Sequence, residues 1–319
     1  MKRLLALGLA AAVQGTAVVE YPLPRAGACP HDPAVGKDGI VWYTDQRNST
    51  IGRLDPAGGK ITDFPTPTGG SGPHGIIVAP DGAVWYTGNA KGLIGRLDPA
   101  TGSIKEYVMP AAARDPHTPV FAGGKVWFTA QGANLYGCLD PATGAVKTFP
   151  LATPDARPYG LVAAPDGSLW MALLGTNRID RIDPADGTAR EFTLPDAGAR
   201  PRRLQVDAKG IVWYTDYARG YLGRLDPTTG RVREFASPGG DGSGPYGIAI
   251  APDGRLWYDE AATSQIVVFD PATERARTVA IPTRGAIVRN MTVDSTRGRV
   301  WLALSGTQRL GRIDVGGGH

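Results

Sequence analysis

The chain has 319 residues, 42% hydrophobic and 20% charged, and carries no low-complexity tract, which excludes a disordered protein. With Lys2 and Arg3 set aside as part of an expected N-terminal leader, 32 of the 34 basic side chains face 30 acidic ones, so nucleic acid is not an expected partner despite a sequence pI near 9.1. The 44 glycines and 27 prolines lie in short clusters along the whole length, the pattern of many brief strands joined by tight turns.

Met1-Lys2-Arg3, the apolar run Leu4 to Val13 and the small-residue stretch ending at Ala17 read as a signal peptide over residues 1–17. The apolar run is about half of the ~20 residues a membrane-spanning helix needs. No later run is longer, so the expectation is an exported protein, periplasmic or secreted, without a membrane span. Val18-Val19-Glu20-Tyr21-Pro22-Leu23-Pro24 then reads as an isolated strand.

From Trp42 onward the chain repeats. Trp42, Trp85, Trp127, Trp170, Trp213, Trp257 and Trp301 recur at spacings of 42 to 44 residues and account for every tryptophan. A second marker runs in phase: Gly52-Arg53-Leu54-Asp55-Pro56, Gly95-Arg96-Leu97-Asp98-Pro99, Gly137-Cys138-Leu139-Asp140-Pro141, and so on to Gly311-Arg312-Ile313-Asp314. A period near 43 with no helical pattern inside it predicts an all-β, seven-bladed β-propeller of four-stranded antiparallel blades. In one unit, Gly75–Val78 is the innermost strand, Val84–Thr87 the second, Ile94–Leu97 the third and Ile104–Tyr107 the outermost. The propeller spans 18–314, followed by a Gly-rich tail at 315–319.

The seventh unit lacks an outer strand, and Val18–Pro24 matches the outer-strand pattern of Glu106-Tyr107 and Glu191–Pro195, so the N-terminal strand is expected to complete blade 7 and close the ring. The tryptophans are expected to pack between blades, and the repeated aspartates to cap the turn between third and fourth strands. Cys29 and Cys138 sit at different points of the repeat and make no disulfide framework.

In an antiparallel pair the start of the first strand and the end of the second share one rim, so departures from the repeat there are informative. At strand starts stand His31, His74, His117, Tyr159, Arg202, Tyr246 and Arg289; three of the four histidines fall in this ring. At the ends of the second strands stand Asp45, Gly88, Ala130, Leu173, Asp216, Glu260 and Leu304. His31, His74 and His117, with Asp115 two residues before the last, could share a divalent metal. His74 or His117 could act as base, Arg202 or Arg289 could hold a carboxylate or enolate-like oxygen, with Tyr246 beside them, and Tyr159, Asp216, Glu260 and Asp45 could line the substrate.

The combination Gly72-Pro73-His74-Gly75-Ile76, Pro80-Asp81-Gly82, Val84-Trp85-Tyr86-Thr87 and Ile94-Gly95-Arg96-Leu97 resembles the virginiamycin B lyase, or streptogramin lyase, family over essentially the whole mature chain. The resemblance implies a seven-bladed propeller and magnesium-dependent, non-hydrolytic opening of a cyclic ester by elimination. It also implies catalytic and metal-binding histidines at Pro-His strand starts of the last two blades, where this chain carries Tyr246 and Arg289.

The primary expectation is a metal-assisted, monomeric lyase acting on a small molecule. The alternatives are a non-catalytic propeller binding a small anion or a protein partner, and a metal-dependent lactonase or other ester hydrolase, disfavoured by a rim richer in histidine and arginine than in carboxylates.

Overall fold

β-Branched and aromatic runs form the strands, and Pro-Asp-Gly or Asp-Pro-led tracts turn between them. In the first repeat the strands are Pro30–Val35, Val41–Asp45, Thr50–Asp55 and Lys60–Pro65, hydrogen-bonded in that order from the channel outward. The computed structural model describes residues 17–316, so the expected leader, up to its last residue, and the final three residues lie outside it. Seven such four-stranded antiparallel sheets form the ring, as the period predicted. Among the described residues, the helical elements are three single 3-10 turns, at Asn89–Lys91, Ala111–Ala113 and Ser305–Thr307. No helix among them is long and apolar enough to cross a membrane.

The N-terminal strand closes the ring. Val18–Pro22 pairs antiparallel with Arg309–Asp314, running from Val18 opposite Ile313 to Pro22 opposite Arg309. Tyr21 lies 5.5 Å from Trp301, ring to ring, just as Phe64 lies 5.7 Å from Trp42 in blade 1 and Tyr107 5.7 Å from Trp85 in blade 2. The borrowed strand thus supplies both the ladder and the aromatic partner of an ordinary outer strand. Glu20 also accepts the Thr283 N–H at 3.2 Å, tying the strand to the connection between blades 6 and 7.

The tryptophans are buried between blades. Trp257 shares a buried cluster with Val288, Met291 and Val300 of blade 7, and Trp85 shares one with Val126 and Phe128 of blade 3. Burial of an apolar side chain of this kind is worth ~1.5–3 kcal/mol, and the ring repeats it at every junction. The turn aspartates cap as expected: Asp55, Asp98 and Asp226 accept the N–H two residues on at 3.0, 2.8 and 2.9 Å. Cys29 and Cys138 are both free.

One regular feature of the fold shapes the channel. In every blade the pairing between first and second strands slips at the same place: Pro73 opposes Gly88, but the next partners are Ile76 and Tyr86, so His74 and Gly75 together face Thr87. The same bulge recurs in the other six blades. A bulge sets two residues of one strand against one of its partner and bends the strand locally. Here it places two consecutive positions, not one, at each blade's contribution to the channel.

Candidate functional site

The first bulge positions are His31, His74, His117, Tyr159, Arg202, Tyr246 and Arg289, the ring read from the sequence. Their side chains stack around the mouth. The rings of His31 and His74 lie 3.7 Å apart, those of His74 and His117 3.8 Å, and those of His117 and Tyr159 4.1 Å. The Tyr159 and Tyr246 hydroxyls hydrogen-bond to each other. Arg202, between them in the chain, lies with its guanidinium carbon 3.8 Å from the Tyr246 ring centre and 4.8 Å from that of Tyr159. Tyr217, a residue the rim reading missed, supplies a third ring at 4.2 Å and is 39% exposed, so it flanks the half-buried Arg202 from the solvent side. Half-buried Arg289, on the other side of Tyr246, donates from Nε to the Ser305 hydroxyl at 3.3 Å.

The second bulge positions form a layer that sequence reasoning did not find. Arg203 of blade 5 reaches across the channel to Asp32 of blade 1, with Nη2 3.0 and 3.2 Å from the two carboxylate oxygens. Asp32 also bonds His31 Nδ1 at 2.9 Å. Strict alternation would send residues 32 and 203 away from the face used by residues 31 and 202; the bulge brings both to the axis. A cavity of about 380 Å³ lies along the channel, lined by Asp32, Thr118, Arg203, Gln205 and Asn290 among apolar residues.

Electrostatics divides the mouth. Burial depresses the pKa of His31, and Asp32 offsets this only in part. His74 and His117 are held well below the usual histidine range, first by burial and then by neighbouring imidazoles and arginines. The three imidazoles are therefore neutral near pH 7. Burial opposes ionisation of Asp32, but Arg203 and His31 outweigh it and hold the carboxyl below its ordinary value. Burial, then Tyr159, pushes the Tyr246 phenol up, so Tyr246 stays protonated.

The rim acids occupy a different place from the one expected. Asp45 accepts the Cys29 N–H at 2.9 Å and the Asn48 amide at 2.8 Å. Asp216 accepts the Arg200 N–H at 3.0 Å and pairs with Arg219 at 2.7 Å, and Glu260 takes the Gly239 N–H at 2.7 Å and the Thr263 hydroxyl at 2.8 Å. All three are buried staples that hold the loops leading into the inner strands, with their oxygens engaged there and not at the channel. Asp115 likewise accepts the N–H groups of Gly132 and Ala133 and is not part of the histidine group.

Among the described residues, those whose donor atoms converge closely enough for a metal are His31, Asp32 and His74, within 4.8 Å of one another. Magnesium prefers a shell of oxygens, whereas this group offers two imidazoles and one carboxylate already paired with a buried guanidinium. It fits magnesium badly.

The virginiamycin B lyase family matches residues 9–174 and again residues 144–319. The chain belongs to this family. Among solved structures, it is similar to a streptogramin B lyase at 25% identity and a TM-score of 0.86, over 94% of this chain and 97% of that one. It is similar at 24% identity and a TM-score of 0.86 to virginiamycin B lyase from Staphylococcus aureus, over 93% of this chain and 98% of that one. A catalytically inactive histidine-to-alanine variant of the staphylococcal enzyme, solved with quinupristin, gives the same identity, TM-score and coverage. No curated protein matches the chain. At this identity the likeness establishes a lyase-like fold, and the two slots of the last blades still hold Tyr246 and Arg289.

Proposed function

We propose that this family member is an exported, lyase-like propeller that binds a small anionic or ester-bearing molecule at the mouth between blades 5 and 7 and eliminates across its carbon–oxygen bond. One observation carries the reading: two half-buried guanidiniums, Arg202 and Arg289, flank Tyr246 at the same mouth as a column of neutral imidazoles. Neutral histidine has the lone pair a base requires, and fixed cations are the groups that stabilise an oxyanion as it forms.

In such a step His117, next in the ring to Tyr159, takes a proton from the carbon beside a carbonyl. Negative charge gathers on the carbonyl oxygen against Arg202 or Arg289. The electron pair then forms a carbon–carbon double bond as the alkyl carbon–oxygen bond breaks and a carboxylate leaves, and the imidazolium returns its proton to water. No water is added, so the products are an alkene and a free acid.

The test is incubation of purified protein with cyclic esters and uronate-type substrates, with magnesium and with EDTA, followed by ultraviolet detection of a new conjugated double bond. Turnover abolished in both Arg202→Ala and His117→Ala is the expected result. Absence of turnover on every ester and uronate would overturn it.

Tyr246 and Arg289, standing where the family carries histidines, favour a second reading: a non-catalytic binder of small anions. It predicts saturable carboxylate binding that depends on Arg202 and Arg289, with His31, His74 and His117 all dispensable.

A further inference from the structure

Four blade junctions share one device. At the position opposite each bulge, the hydroxyl of Thr44, Thr87, Thr129 or Thr215 accepts the N–H of the second bulge residue in its own blade: Asp32 at 3.0 Å, Gly75 at 3.0 Å, Thr118 at 3.1 Å and Arg203 at 3.2 Å. The same hydroxyl donates to the carbonyl of the first bulge residue in the next blade: His74 at 2.8 Å, His117 at 2.7 Å, Tyr159 at 2.9 Å and Tyr246 at 2.8 Å. Each latch needs one acceptor lone pair and one proton. The remaining three positions are Ala172, Ala303 and, in blade 6, Asp259.

Asp259 performs the accepting half. Its Oδ1 takes the Gly247 N–H at 2.6 Å. Its Oδ2 is buried without a hydrogen-bond partner. By the register of the four threonine latches, the carbonyl due at this junction is that of Arg289. Blade 7 is close: a Cβ on Gly247 would lie 3.0 Å from Asp259 Oδ1 and 3.2 Å from the Cα of Asn290. An ionised carboxylate has no proton for a carbonyl and would face its lone pairs with charge. A carboxylic acid has the one proton required.

We propose that Asp259 is a neutral carboxylic acid in the folded protein and that its hydroxyl latches the Arg289 carbonyl, joining blades 6 and 7 and positioning Arg289 at the mouth. Its environment agrees. Complete burial holds Asp259 well above the ordinary aspartate range, and the Gly247 N–H and the cations Arg202 and Arg203, which face it from blade 5, offset this only in part. On its own blade the neighbours Tyr246 and Glu260 are engaged elsewhere, with the Tyr159 hydroxyl and with the loop at residues 237–239. Blade 7 presents Arg289 and Asn290. A protonated aspartate kept neutral by an apolar surround is a known way to place a hydrogen-bond donor where a carboxylate would fail.

This inference does not depend on the protein turning over a substrate. The sign of its pH dependence follows from the raised value: the folded state holds a proton that the unfolded state releases. The latch is fully present below the ordinary aspartate range and is lost as pH rises through the folded value. The experiment uses Asp259→Asn, Asp259→Thr and Asp259→Ala in the full chain. An infrared difference spectrum of wild type minus Asp259→Asn at neutral pH should show a protonated-carboxyl stretch. Thermal melting should show wild type losing ground to Asp259→Thr as pH rises, with Asp259→Thr more stable than Asp259→Ala throughout. A neutral-pH spectrum without that band would overturn the proposal, as would melting curves in which alanine and threonine at 259 are equal.

Discussion

Blades 1 to 3 and blades 5 to 7 are built from the same repeat, yet they give the channel mouth opposite chemistry. The first arc contributes three stacked, neutral imidazoles; the second contributes two guanidiniums with tyrosine rings packed on Arg202. The backbone does not distinguish them, since the same bulge presents residue 31 and residue 202. What distinguishes them is the company each side chain keeps. Buried imidazoles packed ring against ring at tilted angles desolvate one another and stay uncharged, whereas a guanidinium, which cannot deprotonate, is retained by the electron-rich faces of tyrosines. The two arcs are joined across the channel by Asp32 and Arg203.

That link is the most costly joint to remove between the two arcs. Asp32→Ala leaves Arg203 buried without a counter-charge and should cost about 3–5 kcal/mol, read by urea unfolding. A loss under about 1 kcal/mol would mean that the two arcs are not coupled through the pair. The double variant Asp32→Leu/Arg203→Met should recover most of the loss, because replacing both partners removes the stranded charge.

Deleting residues 18–24 should be next in size. It strips blade 7 of its outer strand and of the buried Val18 and Leu23, a loss of at least ~3 kcal/mol at ~1.5–3 kcal/mol per apolar side chain. An unchanged melting temperature in the truncated protein would show that the arcs are held together without ring closure.

Arg202→Ala sharpens the contrast between the arcs. On the proposed reading it should lower kcat/KM by about 100-fold or more, the scale of losing one group that stabilises an oxyanion. If His117→Ala were equally damaging, both arcs act in chemistry; if it were silent while Arg202→Ala abolished carboxylate binding, the mouth is a binding site only.

A separate titration lies outside both arcs, in blade 4. Gly52, Gly95 and Gly223 leave room for the rings of Tyr43, Tyr86 and Tyr214, which would overlap any Cβ there. Blade 4 has Met171 opposite Asp180 instead, and burial, then Glu191, pushes the Asp180 pKa up to about 7. Because the folded value exceeds the unfolded one, wild type is most stable below the ordinary aspartate range and loses stability as pH rises toward 7. Asp180→Asn should remove that component, gaining steadily on wild type as pH rises from the ordinary aspartate range to about 7. Equal pH profiles in the two proteins would place Asp180 outside the titration.

The period, the tryptophans, the turn aspartates and the strand lent to blade 7 were all legible in the sequence, because each depends on local propensity repeated at a fixed interval. The ring of first bulge residues was legible for the same reason. The rim acids were read into the channel because a strand end and a channel mouth coincide in a schematic blade, but Asp45, Asp216 and Glu260 each find a nearer partner in the loop beside them. Tyr217, one residue beyond the second strand, carries no repeat signal and becomes part of the site only through its stacking on Arg202.

By itself, then, the sequence determined seven blades, their closure and which residues begin each inner strand. Only the tertiary structure decided that a bulge turns two residues of each blade toward the axis, and that Asp32 meets Arg203 although 171 residues separate them. Periodicity records what every blade does alike, while a contact across the channel depends on the angle at which a closed ring sets two unlike blades against each other.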